Sequence, residues 1–452
     1  MWYLLYNSLL LLVSPVILGV LLAKQRCRRG LPQRLGWLAE PRRQGSASPC
    51  IWIHAVSLGE VVAVAPLVRE LRRRYPGMRL VVSTVTETGR EAVEQRLEGV
   101  AEHRYAPLDF SWVVNRAIDE LRPSLYVFVE TELWPNLLRS LRRRNIPSVL
   151  VNGRLSTRSF ERQRLPVIRD FYRTMLNMIS CCLMQSERDA QRMIELGADR
   201  SRVRCTGNIK FDQPIPHAPA GGAVVSKQAL GFHEGERLVV AGSTHPGEEE
   251  IIVSAYQSLC EDVPDLCLAL APRHIERAAQ VVEMIRAKGL AVFRRSTGPT
   301  EPLPVSGPRV VVLDTRGELA LLYREAVVAF VGGTLVPVGG HNLLEPALWG
   351  KPVLFGPHTD HCAEVAALLL DACGGRVVED AQDLAQSLRE LLGHPDELKR
   401  MGLAAQQVVA DNQGALERSA EIIATFLPPP PPARPTEFDD APHRAFSRPR
   451  SS

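Results

Sequence analysis

Three carboxylates in the first half of this chain stand where apolar runs end. The stretch HAVSLGE leaves the β-rich run IWIHAV (51–56) through Ser57 and Gly59, and Glu60 opens the helical pattern that continues to Arg74. A carboxylate in a strand-end loop is placed to take a proton from an incoming hydroxyl. Acidic residues also favour a first helical turn for electrostatic reasons alone, and the same dipole lowers the acid's pKa. Glu130 and Glu132 close the run LYVFVE (125–130), two residues apart in VFVETELWPN. Paired carboxylates at the end of a buried strand suit charge work; in the plainer alternative one caps the next helix and the other is solvated. Lys210, in GNIKFD, ends the run VRCTGNIK (203–210), where a cation can meet an anionic substrate or be a surface lysine.

The second half is richer in loops of the kind that hold phosphates. GSTHPGEEE (242–250) is a Gly-Ser-Thr turn into an acidic helix start, whose backbone amides could bind an anion. APRH (271–274) puts Arg273 and His274 just after a strand, and arginine suits bidentate phosphate contact. DTRGELA (314–320), GGT (332–334) and GGHNLLEPALWG (339–350) add glycine-led turns into helices. In the last of these Asn342 and Glu345 fit a capping box that needs no ligand. Equally, the helix start could cradle a nucleotide with Glu345 on its ribose. Five such loops, each leaving a strand of one domain, point to a shared ligand site. No G-x-G-x-x-G follows the first strand of either half, and there is no Walker loop, so nicotinamide, flavin and P-loop chemistry are disfavoured. With no Asp-x-Asp to hold a divalent ion on a diphosphate, a nucleotide bound here would more easily be a monophosphate neutralised by Arg, Lys and backbone amides.

Apolar runs at 51–56, 79–86, 125–130, 147–154, 181–186 and 203–210 alternate with helical patterns, and the rhythm restarts at 237–244, 266–274, 309–315, 327–334 and 351–357. Such alternation implies parallel sheets covered on both faces. Between the two series, 212–236 is rich in Pro, Gly and Ala and reads as a linker. The organisation expected is therefore an anchor at 1–23, an α/β domain at 24–211, the linker, an α/β domain at 237–427, and a disordered Pro-rich tail at 428–452. Ligands in open parallel sheets sit beyond the carboxyl ends of the strands, and two facing domains would place a substrate cleft between them.

Residues 1–23 carry no charged side chain. As a helix they span about 34 Å, enough for a hydrocarbon core. Lys24, Arg26, Arg28 and Arg29 follow, so the body is expected on the cytoplasmic side. The chain of 452 residues has a net charge of +4, yet arginine clusters in its first half, at Arg72, Arg73 and Arg74 and again at Arg142, Arg143 and Arg144. These runs are solvated helix faces or attract anionic lipid head groups; without aromatic interleaving they do not suggest nucleic acid. The nine cysteines show no metal-site spacing, and Cys181 and Cys182 read as buried thiols.

HAVSLGE, ETELWPN, GNIKFD, GSTHPGEEE, APRH and GGTLVPVGGHNLLEPALWGKPVLFGPH, in this order after an apolar N-terminus, resemble the 3-deoxy-D-manno-octulosonic acid (Kdo) transferases of lipopolysaccharide biosynthesis. The resemblance runs to about residue 425 and leaves the tail uncovered. It implies a GT-B fold, two facing Rossmann-like domains behind a membrane-anchor helix. It further implies an inverting, metal-independent glycosyltransferase that moves Kdo from CMP-Kdo onto lipid IVA, a lipid A precursor. The enzyme would be held by a single span in the inner membrane with its body in the cytoplasm, in contact with membrane lipids and not with nucleic acid. By position, Glu60 resembles the general base. Glu130, or its neighbour Glu132, and Lys210 resemble the groups that stabilise the transition state. Pro272, Arg273, Gly317, Glu318, Leu319, Asn342, Leu343, Leu344 and Glu345 resemble the CMP contacts.

Overall fold

The eleven apolar runs each form a strand in the computed structural model, which describes residues 2–23, 28–37, 49–213, 225–298 and 308–429, and three further short strands bring the described total to fourteen. The Lys24 and Arg26 flank, residues 214–224 of the expected linker and the tail from residue 430 lie outside the described residues. The first seven strands are β1 (Cys50–His54), β2 (Arg79–Thr84), β3 (Glu102–Tyr105), β4 (Pro123–Val129), β5 (Ser148–Gly153), β6 (Cys181–Met184) and β7 (Val203–Cys205). They form one parallel sheet in the order β3-β2-β1-β4-β5-β6-β7. The other seven are β8 (Arg237–Thr244), β9 (Leu266–Pro272), β10 (Ala291–Arg294), β11 (Arg309–Val312), β12 (Val328–Val331), β13 (Val353–Phe355) and β14 (Gly375–Val377). Their order is β10-β11-β9-β8-β12-β13-β14, again parallel.

Side chains alternate across each strand, so both faces need cover. In the first sheet Ile51, Ile53, Leu80, Val82, Val127 and Val129 feed one core, while Cys50, Trp52, Val81, Tyr126 and Phe128 feed the opposite one. Near-continuous apolar strands are the consequence. β3, β10 and β14, with sequences EHRY, AVFR and GRV, escape the sequence reading because they are short and lie at or beside sheet edges, where polar residues are tolerated. Both sheets show the Rossmann-like reversal. In the first it falls between β1 and β4, and in the second between β8 and β12. Ligands bind outside the carboxyl ends of the strands at such a reversal.

The chain divides into two units, one comprising Met1–Ile209 with Gly414–Ser452 and the other Lys210–Gln413. This shifts two expected boundaries. The last described helix, Ala415–Ala424, falls within the expected 237–427 domain but belongs to the first unit, where Ala415, Ala420, Ile423 and Leu427 join the core beside Val64 and Leu67. Arg418 ties it down, donating to the Thr206 carbonyl through Nε at 2.9 Å and Nη2 at 2.8 Å. Ile423 is fully buried, so Ile423→Ala is expected to destabilise the first unit by about 2–4 kcal/mol, read as a lowered urea midpoint. Lys210 belongs to the second unit. It follows Ile209 of the first core and precedes Phe211 of a core in the second. The strand before it stops at Cys205, and Lys210 sits in a 3₁₀ turn, Ile209–Asp212, not at a strand end.

Cys181 and Cys182 are buried free thiols, as their apolar context suggests. The helix Trp2–Ala23 is the one helix among the described residues long and apolar enough to cross a membrane.

Candidate active site

In the first unit the loops leaving β1 and β4 carry the three carboxylates, so the two sides of the sheet reversal bring them to one rim. Glu60 lies in the first turn of the helix Leu58–Arg74 and is only 8% exposed. The helix N-cap, Ser57, does not bond a backbone amide; its hydroxyl donates to Glu60 Oε1 at 2.9 Å, and the Val56 N–H donates to Oε2 at 2.8 Å. Burial pushes the carboxyl up to about 7, and the charges of Glu130 and Glu132 add to the rise, while the two hydrogen bonds pull the other way. From local sequence only the helix dipole is visible, and it lowers a first-turn acid. Depth below the surface reverses that sign, and the result is a carboxyl poised near neutrality, as a general base requires.

Glu130 follows β4 in the left-handed region at φ 56°, with its N–H donating to the Val151 carbonyl at 3.0 Å. A non-glycine residue held there is strained, and such strain concentrates at functional loops. Glu132 is exposed. Trp134 then closes edge-on over His54, at 5.4 Å between rings. His54 is buried, is hydrogen-bonded through Nδ1 to Ser83 Oγ at 2.9 Å, and burial holds it down to about 4, so it stays neutral beneath the rim.

In the second unit the loops after β8, β9 and β12 converge. His245 and His341, from either side of the sheet reversal, stack with ring planes 7° apart and an Nε2–Nε2 separation of 2.8 Å. At that distance one ring donates and the other accepts. Burial, then the neighbouring His245, Arg273, His361 and His274, pushes His341 down to about 4, and burial also lowers His245. His274 approaches His245 edge-on at 5.7 Å. The result is a neutral imidazole pair with Arg273 nearby, able to donate to an anion or take up a proton as one arrives.

Glu248 organises this region. Its Oε2 accepts from the amides of His245 (2.8 Å) and Gly333 (2.7 Å), and its Oε1 from those of Thr334 (3.0 Å) and Leu335 (2.9 Å). The His245 amide, one of those in GSTHPGEEE read as open to an anion, is therefore bound internally. Gly332 must be glycine, since a Cβ would lie 2.6 Å from the Ser243 carbonyl oxygen. Neither the histidine pair nor Glu248 was singled out from sequence. The available signal was that their loops follow the two strands flanking the reversal, and strand order is not visible in one sequence.

The expected nucleotide contacts are distributed as follows. Pro272 ends β9 and is buried; Arg273 is exposed beside it, with its amide on the Thr244 carbonyl at 2.9 Å. Gly317 takes φ 84°, and Glu318 is engaged by Arg295 at 3.2 Å and by the Thr315 hydroxyl. Leu319 packs inward on the core. Leu343 and Leu344 are buried in another core, so a ligand can meet only their backbone. The capping box at Asn342 and Glu345 is displaced by one residue. The helix Leu344–Leu348 is N-capped by Leu343, the Asn342 Oδ1 accepts from Leu344 N at 3.2 Å, and its Nδ2 donates to Glu345 Oε1 at 3.2 Å. Asn342 thus orients the Glu345 carboxylate instead of completing a reciprocal cap.

A family profile described as 3-deoxy-D-manno-octulosonic-acid transferase (kdotransferase) matches residues 29–213. A 3-deoxy-D-manno-octulosonic acid transferase of Haemophilus influenzae is 37% identical over 435 residues, covering 94% of this chain and 99% of the relative. One from Bordetella pertussis is 32% identical over 407 residues, covering 88% and 91%. Among solved structures, a UDP-GlcNAc 2-epimerase from Neisseria meningitidis superposes with a TM-score of 0.57 at 13% identity, covering 83% of this chain and 99% of its own, a likeness of fold alone. With two Rossmann-like units of GT-B type and this similarity over nearly its whole length, the chain belongs to the 3-deoxy-D-manno-octulosonic acid transferase family and is a glycosyltransferase.

Proposed function

We propose that this enzyme transfers Kdo from CMP-Kdo to lipid IVA during lipopolysaccharide synthesis, with inversion and without a metal, at the cytoplasmic face of the inner membrane, where the helix Trp2–Ala23 holds it. The observation that carries the reading is Glu60, a buried carboxyl raised to about 7 on the rim beside Glu130 and Glu132. In the proposed step an acceptor hydroxyl oxygen bonds to the anomeric carbon of Kdo. The bond from that carbon to the CMP phosphate oxygen breaks, CMP leaves with the electron pair, and Glu60 takes the hydroxyl proton. The transition state has oxocarbenium character, as in other glycosyl transfers. Glu130 and Lys210 are assigned to stabilising it. Glu130 has the better claim than Glu132 because its strained backbone fixes its direction and Glu132 lies exposed.

The second unit supplies the nucleotide side. Arg273 and the His245–His341 pair give donors for phosphate or sugar carboxylate, and Glu345, oriented by Asn342, faces the task of binding ribose hydroxyls. Fixed donors of this kind stabilise a departing phosphate better than mobile water does. Arg273→Ala is expected to raise the KM for CMP-Kdo about tenfold or more with a smaller change in kcat, as loss of a charge-assisted contact would. An unchanged donor KM removes Arg273 from the site. The reading as a whole is tested by incubating the purified protein with lipid IVA and either CMP-Kdo or UDP-sugars, in EDTA, and weighing the product. A mass gain of Kdo from CMP-Kdo alone is expected; transfer from a UDP-sugar, or none without added metal, contradicts it.

A further inference from the structure

The first two turns of the helix Trp2–Ala23 are fastened to the rim of the first sheet. Tyr6 donates to Asp109 Oδ2 at 3.0 Å. Asn7 and Asn136 exchange side-chain amide bonds at 3.1 and 2.8 Å. Arg139 lies 4.4 Å over the Tyr3 ring, and Trp2, Tyr3 and Tyr6 surround Phe171. Asp109 also accepts from the amides of Asn136 and Leu137, both at 2.9 Å, and so caps the helix Pro135–Arg143 from outside it. This is a part-buried polar clasp on two buried side chains; if the helix leaves, Asp109 loses the Tyr6 hydroxyl and Asn136 loses both bonds to Asn7, while their bonds to one another remain.

Past the helix the chain returns to the same place. Arg29 pairs with Glu87 at 3.0 Å, the Tyr105 amide donates to Gln33 at 2.9 Å, and the Leu108 amide donates to the Arg34 carbonyl at 2.8 Å. Leu108 adjoins Asp109, so the segment leaves and rejoins the lobe at neighbouring residues. A crossing helix delivers its ends to opposite sides of a hydrocarbon core about 30 Å thick. Here the start of the helix and the segment 29–34 that follows it are both tied to one lobe. Meanwhile the outward face is apolar and open. Leu4, Leu5, Leu11, Leu12 and Val16 are each more than 60% exposed. On the same unit Trp112, Leu165 and Val167 are exposed as well, and Arg158, Arg162 and Arg164 stand exposed near the latter two. Exposed apolar side chains with exposed arginines on the same unit match acyl chains beneath anionic head groups.

We propose that this helix does not cross the bilayer but lies in its cytoplasmic leaflet, clasped by Asp109 and Asn136 so that the lipid surface meets the rim carrying Glu60 and Glu130. Asn136 lies in the segment that follows Glu130, which makes the helix part of the wall past which a lipid acceptor reaches the carboxylates instead of a remote tether. The inference rests on the membrane location proposed above but not on the identity of the sugar transferred.

The test is topological. The full chain carries an epitope and a protease site on a polar linker ahead of Met1, and is expressed in a Gram-negative host. A helix in the cytoplasmic leaflet leaves the tag intact in sealed spheroplasts and cleaved in inside-out vesicles. Cleavage from outside the spheroplasts overturns the inference, because it puts the N-terminus across the membrane. Asn7→Leu with Asn136→Leu, in parallel, is expected to open the clasp and expose the tag from outside in part of the population; a topology identical to that of the parent would show that the clasp does not set it. Kdo transfer by the tagged protein, assayed alongside, keeps failure of the topology separate from failure of the functional reading.

Discussion

Glu60→Gln is expected to lower kcat for Kdo transfer by about 10²–10⁴, the usual loss when a positioned base is removed, with CMP affinity unchanged. The substitution is mild for the fold. The glutamine oxygen can still accept from the Val56 N–H, and its amide can donate to Ser57 Oγ, so both bonds that hold the carboxylate have replacements. Stability provides a separate readout, with its sign fixed by linkage. A carboxyl raised to about 7 in the folded protein, against about 4.3 unfolded, favours the folded state fully only below the unfolded value, and that contribution is lost as pH rises through 7. Above neutral pH the neutral glutamine avoids burying the charge, so the variant is expected to be at least as stable as the parent at pH 8. A variant that loses activity by unfolding would show the opposite, a lowered melting temperature at pH 8.

Glu248→Ala is expected to destabilise the second unit by at least about 3 kcal/mol, since buried donors without partners each carry a desolvation cost of about 1–3 kcal/mol. Four amides converge on this fully buried carboxylate, from His245, Gly333, Thr334 and Leu335. Removing it releases the loops that carry both histidines of the stacked pair. Loss of nucleotide binding should therefore accompany the fall in the denaturation midpoint. Glu248→Gln keeps one oxygen but turns an NH₂ group toward two of the donors, and an intermediate loss is expected. A midpoint within experimental error of the parent for the alanine variant would mean that the loops hold themselves.

What the sequence made legible follows from what local patterns can encode. The long apolar runs at 51–56, 79–86 and 237–244 announce strands buried on both faces, and the structure places β1, β2 and β8 there. The loops that leave them were readable as candidate sites for the same reason. Strand order was not readable, so the sequence could not tell that the loops after β1 and β4, or after β8 and β12, meet at the sheet reversals. The pKa of Glu60 was misjudged in direction because depth of burial has no local signature. Asn342 and Glu345 fit a cap by spacing, but their one-residue offset depends on where Leu343 is buried by tertiary packing. The last helix shows ordinary periodicity, and nothing in its own residues says that its apolar face returns to the first unit.

The most direct test of the central claim, that Glu60 is the base, is the pH dependence of kcat/KM for Kdo transfer from CMP-Kdo to lipid IVA. With the parent protein the rate is expected to climb about tenfold per pH unit on the acid side and level off above about 7, where the carboxylate is ionised. With Glu60→Gln the residual rate should show no such acid limb. A glutamine variant that keeps both the parent's rate and its acid limb would contradict the account.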